Sequence, residues 1–199
     1  MLYTYPDQYI NELAASQRGT DNKRYIYILL LRYPDTFSKI FRLFARVHYN
    51  HASIGVSDSD GVFYSYVTTG FRKELPKKHP TFKNHEVPCR LYRVEVSDEV
   101  YNVAQTTLED HAEQAHKFKY SSFGLFLCIM RIVYKRKHQY FCSQFVSETL
   151  EQLKAVPLEK HSALYLPDDF TKMEGLDLWF SGYLSELVGM EKQREALAA

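Results

Sequence analysis

Two alternating segments, HASIGV (51–56) and VFYSYV (62–67), flank the short polar stretch SDSDG. Alternation at period two places one side chain in a core and the next on the opposite face, so each segment reads as a β-strand. Asp, Ser and Gly between them supply turn chemistry, so the pair closes as an antiparallel hairpin. YIYILLL (25–31) is short, apolar and bounded by polar residues, as a buried strand requires, and RLYRVEV (90–96) alternates again.

Helical signals are interleaved with these strands. Pro34 is expected to open a helix with Phe37, Ile40, Phe41 and Phe44 as its apolar stripe, and Lys39, Arg42 and Arg46 facing water. A second helix follows Ser97, with Val100, Val103, Ala104, Thr107, Leu108, His111, Ala115 and Phe118 on one face. Residues 122–132 predict a short buried helix, and the first dozen residues another, with Ile10, Leu13 and Ala14 at helical spacing. Residues 69–88 hold three prolines and mixed charge, which predicts a long surface loop bordering any cleft. No repeat or Gly/Ser/Pro-rich linker divides the chain, so residues 1–199 are expected to form one α+β domain, an antiparallel sheet packed against helices.

Composition narrows the partners. A net charge of +1 gives no global reason to expect nucleic acid or an anionic membrane. The basic stretches RKELPKKHPTFKNHE (72–86) and RIVYKRKH (131–138) read as solvated loops or helix ends. Cys89, Cys128 and Cys142 are odd in number and contain no C-x-x-C pair, which argues against a disulfide framework and a structural zinc site. No signal-peptide pattern opens the chain and no apolar run approaches the ~20 residues of a spanning helix. A reducing cytoplasm is the expected compartment.

The chemistry concentrates in QYFCSQFVSETLEQL (139–153). Phe145, Val146, Thr149, Leu150 and Leu153 recur at helical spacing from Cys142, so the cysteine heads the buried stripe of a helix. Two readings stand: a small packed hydrophobe, or a thiol activated by the free N–H groups and partial positive charge of a helix N-terminus. The second needs a base. His48 and His51 form an H-x-x-H pair without a third ligand nearby, so no metal is expected. His79, His85 and His138 lie in charged, loop-like sequence, and His111 falls on an apolar helix face. His51 heads a strand and shares a face with Ser53 and Gly55, two small residues that leave room for a helix carrying a cysteine.

NHASIGV around His51, FCSQFVSETL around Cys142 and LPDDF near the C-terminus, in that order, resemble the permuted NlpC-like branch of papain-fold cysteine hydrolases, which includes YiiX-like bacterial proteins and lecithin retinol acyltransferase relatives. The resemblance spans residues 25–170. It implies a circularly permuted papain-like fold with Cys142 as nucleophile and His51 as general base. It further implies a thioacyl intermediate on a peptide, cell-wall-like amide or acyl ester, with no cofactor. It also implies a polar residue from the second hairpin strand that orients the imidazole. The family supplies a carboxylate or histidine there, whereas VFYSYV offers Tyr64, Ser65 and Tyr66, of which Ser65 falls nearest the expected position. A site so altered is also compatible with a binding module that keeps the fold without efficient chemistry. Tyr140, two residues before the cysteine, is a candidate donor to an oxyanion or a cleft residue.

Overall fold

The computed structural model describes residues 23–56, 61–76 and 86–188. In chain order the elements are β1 (Arg24–Leu31), α1 (Thr36–Ala45), β2 (His51–Gly55), β3 (Phe63–Val67), β4 (Gly70–Glu74), β5 (Pro88–Val96) and α2 (Asp98–Glu113). There follow β6 (Lys119–Tyr120), α3 (Ser122–Ile129), β7 (Gln139–Tyr140), α4 (Cys142–Gln152) and β8 (Asp177–Tyr183), with short 3-10 turns at Ser162–Leu164 and Pro167–Lys172. The fold is α+β. Its main sheet is six-stranded and antiparallel in the order β4-β3-β2-β1-β5-β8, with β6 and β7 forming a small parallel pair.

The unbroken apolar run of β1 follows from its central place, because both faces of the strand are covered. Ile26, Ile28 and Leu30 join Ala52, Ile54, Phe145 and Leu150 in the larger core, while Tyr27, Leu29 and Leu31 join Phe63, Leu91 and Leu187 in the smaller one. Helix α4 lies against the larger core. Its residues Cys142 to Leu150 are all buried, polar ones included. Ser147 is satisfied there by donating to the Ser162 carbonyl at 2.8 Å. Helix α2 begins at the Ser97 cap as expected and buries Ala104, Thr107, Leu108 and His111. The His111 ring stacks on Phe118 at 4.5 Å.

Several expectations are corrected. Residues 69–88 are not one loop: Gly70–Glu74 is a strand paired with β3, and only 77–85 lie outside the described residues. The two-residue turn Thr68-Thr69 delivers Gly70 at φ 113, where a side chain would be strained. Helix α1 is capped by Asp35, which accepts from the Ser38 N–H, rather than opened by Pro34. Its stripe does not enter a core: Ile40 and Phe44 are exposed, and the Phe37 side chain lies outside the description. Helix α3 is likewise not buried, since Phe123 and Phe126 face outward. The N-terminal helix expected around Ile10, Leu13 and Ala14 lies outside the described residues, as do His79 and His85.

Candidate functional site

His51 is the first residue of β2 and is buried. Two contacts seat the backbone just before it. The carboxylate of Asp168, in the LPDDF segment, accepts the N–H groups of His48 and Tyr49. Asn50 donates its own N–H to the Leu31 carbonyl at 3.1 Å, tying the start of β2 to the end of β1. LPDDF therefore has a defined mechanical task, holding the histidine strand from more than a hundred residues away.

Cys142 is the first residue of α4, and Phe141 before it provides no side-chain cap. Its thiol and the His51 ring are in hydrogen-bonding contact. The Nε2 atom of that ring is already engaged, lying 3.0 and 3.1 Å from the two carboxylate oxygens of Glu74 and 3.2 Å from the Ser65 hydroxyl. Nδ1 is thus the nitrogen left for sulfur. Ser65 in turn donates to Glu74 at 2.9 Å, so hydroxyl, carboxylate and imidazole close a triangle.

The electrostatics follow from this placement. Burial alone would strip His51 of its proton, but the Glu74 charge and the hydrogen bonds to Cys142 and Glu74 outweigh it, raising the ring to about 10. Burial pushes the other two thiols, Cys89 and Cys128, up to about 12. Tyr33 packs against the imidazole with ring centroids 5.4 Å apart. Its phenol is raised well above the ordinary tyrosine value by burial, reinforced by Glu74 and Cys142.

Cys142 lines a small cleft together with Ser38 and Phe41 of α1, Asn50, Tyr120, Leu125 and Pro167. His51 and Glu74 are not among the lining residues. Asn50 has a determined orientation. Its Oδ1 accepts the Tyr33 N–H at 2.8 Å, which leaves Nδ2 as the donor end of an amide that lines the same cleft as Cys142.

Cys142, His51 and Ser65 are brought together, and the structure adds Glu74, which the sequence reading placed in a loop. Tyr140 is not a cleft residue. It is buried against Tyr66 at 5.1 Å, inside the aromatic core that also takes Phe145. Tyr66, an alternative to Ser65, belongs to the same cluster, and Tyr64 stacks on Phe71. The space beside Ser53 and Gly55 does not receive the cysteine helix. A side chain at Gly55 would meet Phe63 and the Val62 carbonyl, while α4 packs with Ala52 and Ile54. Of the basic run upstream of the cysteine, Lys135 is paired with Glu148 at 3.1 Å. His48 is exposed, with Arg32 3.5 Å from its Nε2, and no His/Cys/Asp/Glu cluster suited to a metal occurs among the described residues.

No protein-family model matches the chain, and no curated protein matches it. The arrangement of Cys142, His51 and Glu74 therefore carries the functional argument by its own chemistry.

Proposed function

We propose that the protein is a cysteine hydrolase or acyltransferase acting on an amide, ester or thioester, with a permuted papain-like arrangement. The observation that carries this reading is the line Cys142–His51–Glu74: a thiol at a helix N-terminus, an imidazole in contact with it, and a carboxylate on the far ring nitrogen. The Sγ proton is given up to His51 before the attack, in keeping with a ring that the Glu74 charge holds protonated, and the sulfur then adds to the substrate carbonyl carbon while His51 keeps that proton. The tetrahedral oxyanion collapses, the bond to the leaving group breaks, and His51 returns its proton to the departing amine, alkoxide or thiolate. Water, or an acceptor nucleophile, then attacks the thioester while His51 takes its proton, and Cys142 is released. Glu74 holds the ring tautomer and stabilises the imidazolium, and Ser65 fixes the carboxylate. No metal or organic cofactor enters these steps. A carboxylate contributed by β4 supplies the charged orienting group that VFYSYV lacks, which supports the catalytic reading over a binding module. Peptides, cell-wall-like amides and acyl esters are the substrate classes this chemistry serves. No helix among the described residues is long and apolar enough to cross a membrane, and with three free thiols a reducing cytoplasm is the proposed compartment.

Thiol mapping tests the proposal. With limiting iodoacetamide near pH 7, peptide mass mapping is expected to find Cys142 labelled before Cys89 and Cys128, both of which burial holds protonated. Labelling of Cys89 ahead of Cys142 would reduce Cys142 to a packing residue.

The fixed amide of Asn50 is proposed as the side-chain donor to the oxyanion, alongside the unpaired N–H groups at the start of α4. Replacing Asn50 with Ala is expected to lower acylation by p-nitrophenyl acetate by about 10²-fold. Alkylation by iodoacetamide develops no oxyanion and should keep its rate. Equal loss in both reactions would mean that Asn50 acts only by seating His51.

A further inference from the structure

The large apolar side chains left in water are not scattered. Ile40, Leu43 and Phe44 on α1 are 58%, 80% and 76% exposed, and Phe123 and Phe126 on α3 are 60% and 54% exposed. Both helices also supply cleft residues, Phe41 from α1 and Leu125 from α3, so these apolar surfaces stand at the mouth that opens on Cys142. The exposed surface continues through Met130, Ile132 and Val133. Surface of this kind costs free energy in water unless something covers it.

Charge indicates what the cover is. Residues 36–49 and 119–140 hold no Asp or Glu, yet they carry Lys39, Arg46, Lys119, Arg131, Arg136 and Lys137, all exposed. Along α1 the exposed cations Lys39 and Arg46 follow one helical face and Ile40, Leu43 and Phe44 another, while Arg42, half-buried, donates to the Tyr33 carbonyl. An apolar face flanked by Lys and Arg suits the headgroup boundary of a bilayer bearing anionic lipid. The whole chain is nearly neutral because its acidic residues lie elsewhere, which is why net charge conceals the pattern.

We propose that α1, α3 and the segment through residue 138 form a docking surface for anionic membranes, with the cleft mouth turned toward the lipid. The docking needs no chemistry at Cys142 and stands or falls apart from the catalytic proposal.

Vesicle co-sedimentation of the full chain tests it. Binding is expected to phosphatidylcholine vesicles containing phosphatidylserine, and much less to phosphatidylcholine alone. The double substitution Phe44→Ser with Phe126→Ser should lower the partition coefficient by at least about tenfold, since two exposed rings are removed. Arg136→Glu with Lys137→Glu should weaken binding and flatten its salt dependence. Cys142→Ser should bind as the parent does, which separates docking from catalysis. Circular dichroism confirms that each variant is folded. Absence of binding to the anionic vesicles, or parental binding by both double variants, would overturn the proposal. Self-association in lipid-free buffer that the Phe44→Ser, Phe126→Ser pair abolishes would also overturn it, assigning the face to a second copy of the chain.

Discussion

Replacing His51 with alanine is expected to lower acylation of Cys142 by p-nitrophenyl acetate by on the order of 10⁴-fold at pH 7, the upper range for loss of a positioned general base. His51 is the hydrogen-bond partner of the thiol and holds the proton that the thiol gives up, and Nε2 is already committed to Glu74 and Ser65. Alkylation by iodoacetamide should slow in parallel, because it too needs the thiolate. Since His51 is buried, its removal also leaves a cavity and frees the Glu74 carboxylate from its ring partner, so the variant is expected to be less stable. His51→Gln, which fills more of the space and retains a donor, separates the two effects. It should recover stability without recovering rate. A His51→Gln protein that acylates as the parent does would remove the histidine from the mechanism.

Replacing Glu74 with glutamine should reduce acylation by up to about 10⁴-fold, as loss of the orienting carboxylate does in related constellations. The accompanying signature is a pH effect. His51 is held protonated up to about 10 in the folded protein against 6.5 for an ordinary histidine. Its raised proton affinity therefore stabilises the fold fully below pH 6.5. That contribution shrinks as pH rises and is gone above about 10. Glu74→Gln removes the charge that raises the ring, and burial then drives it downward. The parent should exceed the variant in stability most clearly near pH 6, with the gap closing toward pH 10. Denaturant titrations at several pH values measure the gap, and the imidazole NMR titration locates the ring directly. A pH-independent gap would show that Glu74 only packs. Ser65→Ala provides the comparison: the carboxylate stays on Nε2, so the titration should move far less than with glutamine.

The strands were legible because alternation and turn chemistry are local properties, and β1 and β2 formed where their patterns put them. Cys142 and His51 were legible for the same reason, one at the head of a helical stripe and the other at the head of a strand. Glu74 was hidden by its neighbours. The prolines and cations of residues 72–86 masked the period of FRKE, although Thr68-Thr69 followed by Gly70 is a hairpin signal that would have continued the sheet. A third strand read from that turn places Glu74 on the same face as Ser65, two residues beyond its partner Arg72. Tyr33 and Asn50 could not be found locally at all. Their roles arise because β1 and β2 pair, which brings the residues after one strand beside those before the other. Tyr140 misled because nearness to Cys142 in sequence says little about direction: the tyrosine ends β7 and packs on Tyr66 and Phe145, whereas the cysteine opens α4 after the chain has changed from strand to helix.

The clasp between Asp168 and the N–H groups of His48 and Tyr49 carries a further consequence for how the protein is made. Synthesis delivers the histidine strand early, the cysteine helix much later and the clasp later still. Until residue 168 has left the ribosome, the backbone ahead of His51 has two donors without their acceptor. A chain cut short between Gln152 and Asp168 has both thiol and imidazole but lacks the piece that seats one against the other. The segment around Asp168 thus acts as a late latch, closing on the backbone ahead of His51 only after both His51 and Cys142 have been made.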